Sequence, residues 1–162
     1  MEEKQVKIQT LTNYFEKVPS VILAFLFGSR SKNLERKISD WDIAVYFKPK
    51  EYLEIETQRD YPKEHQIWAD VEKILQAEVD FAVLNRVAPT LIYSVLTSGI
   101  PLIIKDRELY LDLLCKTSYE AIDFWQFVDE FWQISQKSKS LLPEEKARVI
   151  QYLKFWWCLN LA

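Results

Sequence analysis

Five residues of this chain have types and spacing that could do chemistry on phosphate. Gly28 and Ser29 follow a short apolar run, Asp40 and Asp42 open a second such run, and Asp80 interrupts a third. A strand that turns at a glycine into a short polar helix exposes unpaired backbone N–H groups and the positive end of a helix dipole, which together seat an anion. Glycine lets a phosphate approach the backbone, and the chain has only two. On the dipeptide alone, an ordinary strand-to-helix turn is the better reading. Asp40 and Asp42 lie two residues apart on a strand, so both side chains leave one face while Trp41 points the other way into the core. Two carboxylates on one face repel unless a cation lies between them, and strands are depleted in Asp. A solvated strand end serves equally well as an explanation of that pair alone. Asp80, between Val79 and Phe81, repeats the anomaly. If its strand lies beside the second, three carboxylates share one cleft. Hard oxygen ligands of that kind suit magnesium, and two such ions could activate an attacking hydroxyl and offset charge on a leaving pyrophosphate.

The elements that must position these residues can be read from hydrophobic periodicity. Ile8, Leu11, Phe15 and Val18 mark one face of a helix over about 4–18. Val21 to Phe27 is a short, wholly apolar run, which fits a strand buried on both faces. Asp40 to Phe47 reads as a second strand closed by Lys48 and Pro49, and Glu78 to Leu84 as a third. Between them, Trp68, Val71 and Leu75 indicate a helix over about 61–76. Pro89 to Ser98 is a short helix with Pro in its first turn and Gly99 as its stop. Pro101 to Lys105 is a fourth, edge strand, and a helix follows from Asp106 to about Trp132. On that helix Phe124, Val128 and Phe131 form an aromatic face read as core packing. The polar run SQKSKS (135–140) is read as a linker before a last helix opened by Pro143, with Glu144 and Glu145 in its first turn. The expected organisation is one α/β (α+β) domain over 1–134, a small mixed sheet flanked by helices, and a C-terminal extension over 135–162.

Composition excludes several alternatives. A net charge of −3 over 162 residues argues against a broad basic surface for nucleic acid. Cys115 and Cys158 lie far apart without a CxxC partner, so neither a disulfide framework nor a zinc knuckle is indicated. The single histidine, His65, stands among Lys63, Glu64 and Gln66 and reads as a solvated helix residue, which removes a Ser-His-Asp triad. The first residues lack the apolar core of a signal sequence, and no apolar run reaches the roughly 18 residues a membrane span requires. A cytoplasmic protein with free thiols is expected.

Gly28-Ser29, ten residues, then Asp40-Trp41-Asp42, and a later strand acid at Asp80 resemble the signature of the nucleotidyltransferase superfamily that includes DNA polymerase beta. The wider chain, with FGSR, SDWDIAVYF, VDFAVLNRVAP, SGIPLIIKDRELY and YEAIDF, is similar to the MNT-domain antitoxins of HEPN/MNT toxin–antitoxin modules, from about Leu11 to Trp132. The resemblance implies a cytosolic type VII antitoxin that transfers AMP from ATP to tyrosine of a partner HEPN ribonuclease and so silences it. It implies that Gly28 and Ser29 hold the nucleotide phosphates, that Asp40 and Asp42 ligate magnesium, as two ions, and that Asp80 activates the acceptor hydroxyl and can also touch a metal. Arg30 takes a position that is often basic in the family and could contact the triphosphate, although an exposed turn arginine explains it equally. The loop from Arg30 to Ser39 lacks the second glycine of many relatives, and Trp41 replaces a more usual aliphatic residue.

Two other functions fit the same residues. A small-molecule nucleotidyltransferase of the aminoglycoside-modifying kind would share the fold, but little chain remains to build a drug-holding domain. A non-catalytic antitoxin that only occludes its toxin would gain nothing from clustered acids in an apolar sheet. A ribonuclease role for this chain is rejected, because Arg59 and His65 are separated by Pro62 and do not share a helix. The apolar segment Phe155, Trp156, Trp157, Leu159 and Leu161 could dock on the domain itself, bind a partner, self-associate or open a fused partner domain.

Overall fold

The computed structural model describes residues 2–28 and 41–138. In chain order the elements are α1 (Glu2–Glu16), β1 (Val21–Phe27), β2 (Trp41–Phe47), α2 (Glu64–Leu75), β3 (Val79–Val83), α3 (Pro89–Ser98), β4 (Ile100–Ile104) and α4 (Arg107–Ser138). The strands form one mixed sheet in the order β3-β2-β1-β4. β1 runs antiparallel to both β2 and β4, and β2 runs parallel to β3, with α2 as the crossover that a parallel pair demands.

Both faces of the sheet are covered, which is why β1 and β2 read as almost continuous apolar runs. On one face Leu11 and Phe15 of α1, with Ile67, Val71 and Leu75 of α2, pack against Ala24, Leu26, Trp41, Ile43 and Val45. On the other, Ile92, Val95 and Leu96 of α3, with Leu109 and Leu113 of α4, pack against Leu23, Phe25, Ala44 and Tyr46. The alternation along β2 therefore sends Trp41 to the α1/α2 layer and assigns Asp42 to the face that carries Ala44 and Tyr46.

The connection from β2 to α2 spans residues 48–63 and is tied down by side chains. Phe47 stacks on Tyr61 with ring centroids 4.7 Å apart. The Tyr61 hydroxyl donates to Glu54 Oε2 at 2.7 Å, and Arg59 pairs with Glu54 Oε1 at 2.7 Å. Asn85, fully buried, accepts from the Phe47 N–H at 2.8 Å and donates to the Phe47 carbonyl at 3.1 Å, so its amide extends the ladder past the end of β3. All of this lies at the end of β2 away from Asp42.

Contacts divide the chain into two units, Met1–Ala121 and Ile122–Ala162, with the boundary inside α4. Two expectations change here. α4 stays helical through Ser138, so residues 135–138 of the polar run continue the helix instead of breaking it. Gln, Lys and Ser are tolerated in helices, and the run contains neither Gly nor Pro. The aromatic face beyond Ala121 is not core: Phe124 and Phe131 are 45% and 38% exposed, and Trp125 and Trp132 about 60%. The last helix opened by Pro143 and the apolar segment Phe155 to Leu161 lie outside the described residues. No helix among the described residues is long and apolar enough to cross a membrane.

Candidate active site

The turn after β1 and the first residues of β2 and β3 come together at one end of the sheet. Phe27 pairs with Asp42 across the antiparallel β1/β2 ladder, and Asp42 pairs with Asp80 across the parallel β2/β3 ladder. Gly28, Asp42 and Asp80 are thus neighbours on three adjacent strands, although 52 residues separate the first from the last in sequence. Adjacent strands lie about 4.8 Å apart, so two residues in register can offer carboxylates to one ion. Flanking residues fix the direction of both acids. Trp41 (3% exposed), Ile43 and Val79 are buried in the α1/α2 layer, and Phe81 packs against it, which sends Asp42 and Asp80 to the opposite face.

Gly28 is where the site demands glycine. Its φ of +70° is left-handed, and a Cβ there would lie 2.6 Å from Cγ of Asp42 and closer still to Oδ2. The Asp42 carboxylate leans over the bare backbone at the turn, so any side chain at 28 would displace it. The residue expected from sequence to leave room for a phosphate leaves room for this acid. Asp42 is partly exposed and Asp80 exposed, and Asp80 has no hydrogen-bond or ion-pair partner among the described residues.

Of the six residues singled out by sequence, the structure places Gly28, Asp42 and Asp80 and brings them together. Ser29, Arg30 and Asp40 lie outside the described residues. His65 is exposed on α2, as a solvated residue should be, and Cys115 is an exposed free thiol. No cluster of three or more His, Cys, Asp or Glu exists among the described residues. Two hard carboxylates in register still form a donor set that suits magnesium, which keeps waters and takes further oxygens from its nucleotide.

The opposite face of the same strand ends carries residues that sequence reasoning did not mark. Lys7 of α1 stands over the Trp41 ring, 5.8 Å from its centroid. Trp68 of α2 stacks on Phe81 and donates its indole N–H to the Val79 carbonyl at 3.2 Å. The signal for Lys7 lay in topology: α1 and β1 are consecutive and antiparallel, so the start of α1 returns to the end of the sheet where β1 finishes. For Trp68, helical spacing placed the residue correctly but could not show its bond to a strand.

The model of the family described as "Polymerase beta, Nucleotidyltransferase" matches residues 9–108, well over half of the chain. No curated protein sequence matches the chain. Among solved structures, a chain from a toxin–antitoxin complex with AMP-PNP is 23% identical with a TM-score of 0.54, covering 82% of this chain and 94% of its own. A chain from the complex of tri-AMPylated Shewanella oneidensis HEPN toxin with MNT antitoxin is 22% identical with a TM-score of 0.51, covering 81% and 97%. One from the MntA-HepT toxin–antitoxin complex is 21% identical with a TM-score of 0.50, covering 85% and 97%. At these identities the likeness is one of fold, and it spans nearly all of each matched chain. With the family match covering β1, β2, β3 and the turn at Gly28, this chain belongs to the polymerase beta nucleotidyltransferase family.

Proposed function

We propose that this protein transfers AMP from ATP to a tyrosine of a cognate HEPN-domain toxin and thereby acts as its antitoxin. The observation that carries the reading is the register pair Asp42 and Asp80, side by side and facing away from the α1/α2 layer, with the Asp42 carboxylate folded over Gly28. The partner and the nucleotide are supported by the fold neighbours, which come from toxin–antitoxin complexes, one with AMP-PNP and one with an AMPylated toxin. Residues 1–134 serve as the catalytic domain, and residues 135–162 form the extension.

In this reading the N–H groups of the turn at Gly28 and Ser29 bind the β- and γ-phosphates, and Arg30 adds positive charge to them. Asp40 and Asp42 hold magnesium, with Asp80 at its margin. When bound, the metal supplies positive charge that offsets the charge developing on the leaving pyrophosphate. The tyrosine oxygen attacks the α-phosphorus, its proton passes to the Asp80 carboxylate, and the bond from the α-phosphorus to the bridging oxygen breaks to release pyrophosphate. Asp80 suits proton acceptance because it is exposed and has no competing partner among the described residues. Its edge strand leaves it open to a macromolecular acceptor.

The test uses ATP labelled at the α-phosphate, magnesium and a candidate HEPN-domain protein. Label should reach the candidate and remain bound through denaturation, while label at the γ-phosphate should not. The double variant Asp40→Ala, Asp42→Ala should transfer none. Absence of α-label on the candidate with folded wild-type protein defeats the reading.

A further inference from the structure

Among the described residues β3 ends the sheet, and only its inner side has a neighbouring strand. The Leu84 N–H donates to the Val45 carbonyl at 2.8 Å, and backbone groups alternate in direction along a strand. The N–H and C=O groups of the even-numbered residues of β3 therefore face β2, and those of the odd-numbered residues face the other edge. The outward carbonyls at the two ends of the strand have found substitutes for a missing neighbour. Val83 accepts from the Arg86 N–H at 3.0 Å, and Val79 accepts from the Trp68 indole at 3.2 Å.

The second of these bonds bears on the site. The Val79 carbonyl and the Asp80 nitrogen belong to one rigid peptide plane, so a bond to that carbonyl fixes the orientation from which the Asp80 side chain departs. Trp68 also stacks on Phe81, with ring centroids 6.1 Å apart and planes inclined by 12°. One side chain thus grips the residue before Asp80 by its backbone and the residue after it by its ring, from the face opposite the carboxylate. Trp68 is 38% exposed, so packing alone does not account for an indole at this position.

We propose that Trp68 is a positioning residue for Asp80, holding the start of the edge strand β3 so that the carboxylate keeps its register beside Asp42. The catalytic consequence rests on the adenylyl-transfer reading given above, whereas the holding of β3 does not. Misplacing a proton acceptor by a fraction of an ångström slows the chemical step without weakening nucleotide binding, which belongs to Gly28 and the β2 acids.

The experiment compares wild type with Trp68→Phe, which keeps an aromatic ring for Phe81 and removes the N–H donor. Hydrogen exchange of the Asp80 and Ala82 amides should accelerate about tenfold in the variant. With α-labelled ATP and the candidate HEPN-domain protein, kcat should fall about tenfold while KM for ATP stays within about twofold. Tyr14→Phe is the control, since it removes a hydrogen bond of similar length, 2.9 Å, from the Tyr14 hydroxyl of α1 to Asp70 of α2, the helix that carries Trp68. It should leave both the β3 exchange and kcat at wild-type values. Wild-type exchange at Asp80 and Ala82 in Trp68→Phe overturns the positioning role. Faster exchange with unchanged kcat overturns its link to catalysis. A wild-type protein that transfers no label contradicts the adenylyl-transfer reading alone, and the exchange result still decides whether Trp68 holds the strand.

Discussion

At Asp42 two requirements meet, a carboxylate on the face opposite the α1/α2 layer and a backbone close enough to accept it. Gly28 meets the second, with a left-handed φ and no side chain to oppose the acid. Gly28→Ala should therefore lose at least about 2 kcal/mol in urea denaturation, from left-handed strain and steric overlap together. It should also lose nucleotide affinity in calorimetric titration, because the carboxylate must move. Asp42 and Asp80 repel each other across the ladder until a cation lies between them. Neutralising either by Asn should raise the melting temperature in EDTA. Magnesium should raise the melting temperature of the wild type and do so less for Asp80→Asn. A wild type indifferent to magnesium would count against an ion at this pair.

At the scale of elements, the proposed site and the tied-down connection to α2 occupy opposite ends of β2. Asn85→Ala would leave the N–H and C=O of Phe47 buried without partners and should cost about 2–4 kcal/mol, while nucleotide binding at the other end of the strand persists. Glu54 is governed by opposing effects. Burial pushes its carboxyl up, but hydrogen bonds from the Tyr61 hydroxyl, the Lys50 N–H and Arg59, with the charge of Arg59, outweigh it and hold the group below its ordinary value of 4.5. The folded state then binds fewer protons than the unfolded one, so Glu54 stabilises the fold above that value and its contribution fades as pH falls through the depressed one. Glu54→Gln should flatten the acid limb of a stability-versus-pH curve, and an unchanged limb would show that other carboxylates govern it. Burial followed by hydrogen bonding to Glu54 raises the Tyr61 hydroxyl well above its normal range, which keeps it a donor across the working pH.

Some elements were legible in sequence because local signals and tertiary packing agree. β1 was bounded at Val21 and Phe27 by its unbroken apolar run and Gly28, and α3 at Pro89 and Ser98 by a first-turn proline and a stop glycine. The start of α2 was not. Pro62 and a left-handed Lys63 delay it to Glu64, and Tyr61, which looked like the first helical residue, is spent on Phe47 and Glu54. The spacing of Gly28, Asp42 and Asp80 was visible, but not that the first two touch. Register is a property of pairing, and it is not written in any one strand.

Across the whole molecule, the chain is a sheet unit to Ala121 and a second unit from Ile122 onward. The sequence reads the helix from Asp106 to about Trp132 as one pattern, with Phe124, Val128 and Phe131 as core packing. Before the boundary Leu113 and Thr117 are buried, whereas beyond it Trp125 and Trp132 are exposed. Replacing Trp125 and Trp132 together by Lys should therefore change the stability of the sheet unit by no more than about 0.5 kcal/mol. A larger loss in urea denaturation followed by Trp41 burial would mean that these rings support the core. The family match and the carboxylate pair both lie within the sheet unit, so transfer chemistry should survive the same substitutions.

The central claim is that carboxylates at the Gly28 end of the sheet drive nucleotidyl transfer. The most direct measurement is the single-turnover rate of α-phosphate label transfer from magnesium ATP to the HEPN-domain candidate, by wild type and by Asp42→Asn of confirmed folding. A loss of about a thousandfold or more in the variant is predicted, since positioning and charge stabilisation both depend on that carboxylate. Equal rates would contradict the account.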